Sequence, residues 1–149
     1  MNRVIAVLCG VWLGMQIMAG YIAAPLLFSR LPRLEAGSLA GTMFGINHYL
    51  GLAAWGLAYW AARRGMRHGF STGRSAAPKM ILLLLVLLTA DQFLMTPVIE
   101  SLKAGGSHWL SDWVGGSFGK WHGISSVLYL LCCLLGLGLL LRYLRFDAR

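Results

Sequence analysis

In LLLLVLLTADQFLMTPVIE (82–100) nine residues without a charge lead into Asp91. Two more polar side chains stand in similar surroundings: Gln16 in WLGMQIMAG and His48 in FGINHYLG, with Asn47 and Gln92 as their neighbours. A carboxylate and an imidazole within reach of each other can share a proton, pass it on, or hold a cation. An ionisable group in an apolar segment costs a few kcal/mol on insertion scales and is normally paired or set against a wet cavity. Asp91 is therefore expected to meet His48, Gln16 or both, either as a neutral acid–imidazole pair or as carboxylate and imidazolium. The plain alternative is fastening, since polar side chains between membrane helices contribute only ~1 kcal/mol each.

A second set lies nearer the end of the apolar segments. His122 stands four residues into the last of them, in FGKWHG (118–123), and imidazole changes charge near neutral pH, which suits a ligand or a proton carrier. Glu100 and Lys120 fall at matching depth and are expected to pair. His48 and His122 are also the candidate metal or haem ligands, though no dense Met/His motif supports copper. Cys9, Cys132 and Cys133 lack the spacing of a disulfide framework or a zinc site and read as small buried side chains. No Gly-rich phosphate loop, nucleophile motif or metalloprotease signature occurs. An enzymatic reading thus rests on His48, Asp91 and His122 alone, and a non-enzymatic one is favoured.

The elements that must position these residues follow from composition. Only 12% of the 149 residues are charged, against about 25% in a soluble domain. Four long apolar segments, about 4–28, 36–62, 80–99 and 118–141, read as membrane spans, which lipid forces to be helical. The expectation is an all-α membrane protein: a single domain (1–149) folded as an antiparallel four-transmembrane-helix bundle. The first span is read as retained, not as a cleaved signal peptide.

Lys and Arg concentrate on cytoplasmic loops. Nine of the 13, in the N-terminus, the 63–79 loop and the tail, share one side, so both termini are expected in the cytoplasm of a bacterium, with the protein in its inner membrane. The 100–117 loop then faces outward, where Trp109, Trp113 and Trp121 suit the headgroup level. At ~1.5 Å per residue, Gln16, His48 and Asp91 fall at one depth near the midplane, and His122 lies shallower. Glycines at four-residue intervals (Gly10 and Gly14; Gly37, Gly41 and Gly45; Gly119 and Gly123) are expected to let helix backbones approach. Pro25 and Pro97 are expected to close the first and third helices.

Three stretches, WLGMQIMAGYIAAPLLFSRLPRLEAGSLAGTMF (12–44), DQFLMTPVIESL (91–102) and FGKWHGISSVLYLLCCLLG (118–136), resemble the transmembrane protein 205-like family, catalogued in bacteria as a domain of unknown function. The resemblance implies a small four-helix integral membrane protein and supplies no activity. A more distant similarity, in size and helix count, is to copper-resistance membrane proteins and small haem-associated protoporphyrinogen oxidases, which use membrane histidines.

The function expected is an inner-membrane bundle that binds a small ligand or a membrane partner through its polar layer. A haem or porphyrin protein using His48 or His122 is one alternative. Transport of metal ions or protons by an oligomer is another. The lipid bilayer is the expected partner, with a second copy or another membrane protein beside it; nothing combines basic and aromatic residues into a nucleic-acid surface.

Overall fold

A proline inside a helix removes one backbone donor and clashes with the carbonyl four residues earlier. Neither Pro25 nor Pro97 ends its helix, however. In the computed structural model, which describes residues 3–67 and 77–147, both helices run on past the proline. The first, α1, spans Arg3–Arg30, and the third, α3, spans Ala77–Lys103. Each is relieved by one π-helical turn just before the proline, Ala19–Ala23 in α1 and Asp91–Met95 in α3. Widening the turn moves its bonding from the fourth to the fifth residue, so that Ala24 N–H donates to the Ala19 carbonyl and Thr96 N–H to the Asp91 carbonyl. The Thr96 hydroxyl donates to that same Asp91 carbonyl at 3.0 Å. Single π turns of this kind recur at functional sites.

Between them lies α2, Arg33–Arg67. A short helix, α4, spans Trp109–Val114, and α5 spans Phe118–Asp147. The expected outer loop is therefore partly helical. His108 caps α4 by accepting the Leu110 N–H on Nδ1, while Ser111 Oγ accepts the His108 N–H, a reciprocal box that satisfies two otherwise orphan donors. Gly115 and Gly116, at φ 73° and 119°, make the turn into α5, a conformation that residues with a Cβ rarely adopt. The expected 63–79 loop falls mostly outside the described residues; its flanks belong to α2 and α3.

The long helices alternate in direction around a square. α1 packs on α2 and α5, α3 packs on the same two, and the two π-bearing helices stand on one diagonal. No strand occurs among the described residues. Three helices are long and apolar enough to cross a membrane: Arg3–Arg30, Ala77–Lys103 and Phe118–Tyr143. The expected fourth, α2, is long enough at 35 residues but is not among them. Its glycines, Asn47, His48 and interspersed hydroxyls and rings dilute the aliphatic content. Large apolar side chains such as Val7, Val11, Leu82, Val86, Val127 and Leu134 point outward, the distribution of a multi-pass membrane protein.

The interior has three layers. One half is a dry core of Cys9, Trp12 and Leu13 from α1, Ala54, Trp55 and Ala58 from α2, Ile81, Leu84 and Leu88 from α3, and Cys132 and Leu139 from α5. The indoles of Trp12 and Trp55 meet edge to face at 5.9 Å, a favoured aromatic arrangement. A polar layer follows. The other half holds a small cluster of Met95, Val98, Leu110 and Trp121, beside which the bundle opens. Trp121 is thus a core residue, 4% exposed, while Trp109 and Trp113 are exposed as headgroup-level indoles would be.

The glycines divide by what a Cβ would meet. At Gly10, Gly14, Gly41, Gly45 and Gly123 it would meet nothing within 4 Å, so these positions bring no two elements of this chain into close approach. Gly119 meets only the nearby Ser117 hydroxyl, at 3.9 Å. Gly37 is close to the end of the Lys103 side chain. The tightest sites are Gly20, under the ring of Tyr129, and Gly51, under the indole of Trp12. Large side chains, and not backbones, fill the space these two leave.

Candidate functional site

The polar layer is built by one residue from each of three helices and closed by a fourth. His48 of α2 and Asp91 of α3 are both 3% exposed, and His48 Nε2 lies 3.0 Å from Asp91 Oδ2. The other ring nitrogen, Nδ1, lies 2.7 Å from the Phe44 carbonyl. A carbonyl only accepts, so Nδ1 carries hydrogen. One further proton belongs to the Nε2–Oδ2 line, on nitrogen as imidazolium and carboxylate or on oxygen as a neutral pair. Both forms leave the pair with no net charge, the cheapest condition for buried groups. Ser125 of α5 donates to the other carboxyl oxygen, Asp91 Oδ1, at 2.7 Å. Serine here serves the carboxyl and has no base of its own, so the trio is not a nucleophile triad, which needs the hydroxyl on the imidazole.

Beneath the pair, α1 and α2 are locked by amides. Asn47 Nδ2 donates to Gln16 Oε1, and both residues are fully buried. Trp12 Nε1 donates to the Asn47 backbone carbonyl at 3.0 Å, a reach that requires the missing side chain of Gly51. The hydroxyl of Tyr129 crosses from α5 to the Gln16 carbonyl, just before the π turn of α1. Gln16 thus bonds Asn47, and neither Asp91 nor His48 has a bond to it.

Above the pair opens a cavity of about 730 Å³, within the range of small-molecule pockets. His48, Asp91, Ser125 and Tyr129 lie on its floor side; Glu100, Lys103 and His122 lie toward the mouth. Gly41 and Gly45 line it, and their absent side chains are part of its volume. The ring of His122 stacks on Phe118, 5.7 Å apart and 6° from parallel, and its side chain is exposed. Glu100 and Lys120 form no ion pair within 4 Å; Lys103, which shares the cavity wall with Glu100, lies over Gly37. Among the described residues no three of His, Cys, Asp and Glu converge as metal ligands.

The family described as a domain of unknown function, DUF4149, matches residues 7–108, more than half of the chain. The chain belongs to the DUF4149 family. Its match takes in Gln16, Asn47, His48 and Asp91 and stops short of Ser125, His122 and Tyr129 on α5. This DUF4149 chain is also 28% identical over 127 residues to an uncharacterised protein of Aquifex aeolicus (strain VF5), an alignment covering 85% of this chain and 84% of that one. No solved structure matches it.

Against the residues singled out in the DUF4149 sequence, the structure brings His48 and Asp91 into contact and sets His122 and Glu100 on the wall of the same cavity. Lys120 is not among the lining residues. Ser125, Tyr129, Trp12 and Gly51 carry the layer without having been singled out as site residues. Ser125 gave a faint signal, a hydroxyl in an apolar helix close to the depth of Asp91. Gly51 gave none, because a glycine under an indole is defined by a partner 39 positions away in the chain.

Proposed function

We propose that this DUF4149 protein is a four-span bacterial inner-membrane protein, with both termini in the cytoplasm, that binds a small amphiphilic ligand between its helices. One observation carries the reading. A cavity of about 730 Å³ runs from a charged mouth to a buried His–Asp pair, with aromatic and aliphatic walls between. Apolar concavities with few convergent polar groups are the usual form of a ligand site. In support of a fourth span, α2 is about 52 Å long at ~1.5 Å per residue and packs along both α1 and α3. The asymmetry of Lys and Arg supports the orientation. The resemblance to the transmembrane protein 205-like family is in keeping with this topology.

The test uses protein purified in mild detergent from its native membrane and examined by native mass spectrometry. A retained small molecule is expected, lost when Gly45→Leu fills the cavity at a lining position where an added Cβ meets nothing within 4 Å. Absence of any retained molecule, or equal retention by the filled variant, would overturn the reading.

A haem reading has one observation in its favour: His122 is exposed on the cavity wall, and among the described residues none hydrogen-bonds its ring nitrogens. His48 does not fit an iron ligand, because both its nitrogens are engaged by Phe44 and Asp91. Ligation by two histidines is therefore disfavoured, and a haem would rest on His122 alone. A Soret band in the purified protein, lost in His122→Ala and kept in His48→Gln, is the result this reading requires.

A further inference from the structure

The hydroxyl groups along the cavity have nearly all spent their protons. Ser125 donates to Asp91 Oδ1, Thr96 to the Asp91 carbonyl, Ser126 to the His122 carbonyl, Thr42 to the Ser38 carbonyl and Tyr129 to the Gln16 carbonyl. Ser38 and Tyr21 are the exceptions, and both are exposed. Around the Asp91 carboxyl acceptors predominate: the spare lone pairs of these hydroxyls and of the carboxyl itself, and Gln92 Oε1, a buried oxygen on the cavity wall without a partner, with the Gln92 amide N–H groups as the donors beside them. Donors are found at the mouth, in Lys103 and His122. A ligand whose polar end reaches the Asp91 carboxyl must therefore bring hydrogen-bond donors with it. Aromatic rings flank that end, with Phe44 and Tyr129 in edge-to-face contact at 5.3 Å and Tyr129 beside the His48 ring at 6.4 Å. Ring faces attract cations once water is excluded.

We propose that the cavity takes a lipophilic ammonium ion in exchange for the proton held between His48 and Asp91. The charges balance. Before binding, the pair with its shared proton is neutral. When an R–NH3⁺ group arrives, the shared proton leaves to solvent. Asp91 remains as carboxylate, His48 as neutral imidazole with hydrogen on Nδ1, and the ammonium donates to Asp91 Oδ2, His48 Nε2 and Gln92 Oε1. The site is neutral in both states, so no uncompensated charge is buried at either stage, the condition that would otherwise be most costly. A carboxylate ligand whose charged end reached the floor would face the Asp91 carboxylate and is expected to bind worst. The other titratable groups that line the cavity are Tyr21 from α1, Glu100 and Lys103 from α3, and His122 and Tyr129 from α5, with Cys132 and Cys133 of α5 buried in the bundle. Glu100 and Lys103 carry opposite charges at the mouth and leave its net field small.

This inference rests on the cavity being a ligand site, and the experiment separates the two. The full-length protein in detergent is titrated calorimetrically with three probes of one shape: 4-phenylbutylammonium, 4-phenylbutan-1-ol and 4-phenylbutanoate. The ammonium is expected to bind at least about tenfold more tightly than the alcohol, with the carboxylate weakest. Repeating the titration in buffers of different ionisation enthalpy should show about one proton released per ammonium bound. Its affinity should rise about tenfold per pH unit while the pair holds its proton and the amine, titrating near ~10, stays charged. Asp91→Asn should abolish both the proton release and the preference for ammonium, with the helix content and thermal unfolding of the variant reporting that its bundle is folded. Equal binding of the three probes, tightest binding of the carboxylate, or ammonium binding without proton release would overturn the exchange and leave the ligand site standing. Failure of all three to bind wild type any better than Gly45→Leu would overturn both.

Discussion

At the scale of single residues, the polar layer is unevenly weighted. Asp91 has three attachments: its two carboxyl oxygens reach different helices, and its carbonyl takes the hydroxyl of Thr96. Removing it leaves His48 Nε2 buried without a partner. Breaking one side of a buried ion pair typically costs ~3–5 kcal/mol, whereas one interhelical hydrogen bond in a membrane protein averages ~0.6 kcal/mol. Asp91→Ala is therefore expected to lower unfolding stability in detergent several times more than Ser125→Ala. Adding His48→Ala to Asp91→Ala should cost less than the sum of the two single changes, as coupled neighbours do. Equal losses for Asp91→Ala and Ser125→Ala would mean that the carboxyl is solvated in the native protein.

At the scale of elements, packing contradicts the simplest use of glycine spacing. The four-residue stripes at Gly10 and Gly14 and at Gly41 and Gly45 face outward or into the cavity, whereas Gly51 and Gly20 admit an indole and a phenol ring. Gly14→Ala is expected to be neutral or to stabilise α1 by up to about 1 kcal/mol, the helix preference of alanine over glycine. Gly51→Ala should cost ~1–3 kcal/mol by overpacking against Trp12 and weakening its bond to the Asn47 carbonyl. Thermal unfolding of the two variants in one detergent compares them directly. A stability loss in Gly14→Ala as large as in Gly51→Ala would place a close neighbour at Gly14, such as a second copy of the chain. The two π turns belong to this scale as well. They let α1 and α3 pass their prolines, and the turn in α3 begins at the carboxyl residue that pairs with His48.

At the scale of the molecule, a dry half and an open half meet at the polar layer, and the open half is the one facing the 100–117 connection. The orientation proposed above, with both termini in the cytoplasm, would turn the cavity mouth outward. A cysteine introduced at Ser107 is therefore expected to react with a membrane-impermeant maleimide in intact cells. A C-terminal fluorescent reporter that folds only in the cytoplasm should glow in the same cells. Protection of the cysteine together with a dark reporter would invert the topology and turn the mouth toward the cytoplasm.

Much of this plan is legible in the residues alone. Low charge and long apolar runs dictate helices in a bilayer, because lipid offers the backbone no other hydrogen-bond partner. Counting along those helices puts Gln16, His48 and Asp91 at one depth, since rise per residue depends only on local geometry. Azimuth is different. A π turn inserts a residue into the winding and shifts the phase of everything beyond it, so the faces of α1 and α3 past residues 19 and 91 could not be read from a 3.6-residue period. The pairing of Gln16 with Asn47, the grip of Ser125 on Asp91 and the burial of Trp121 depend on which helices are neighbours around the square. So does the joining of the midplane residues and His122 into one cavity. The two hydrogen bonds join positions 31 and 34 residues apart, and only the packed bundle chooses such contacts.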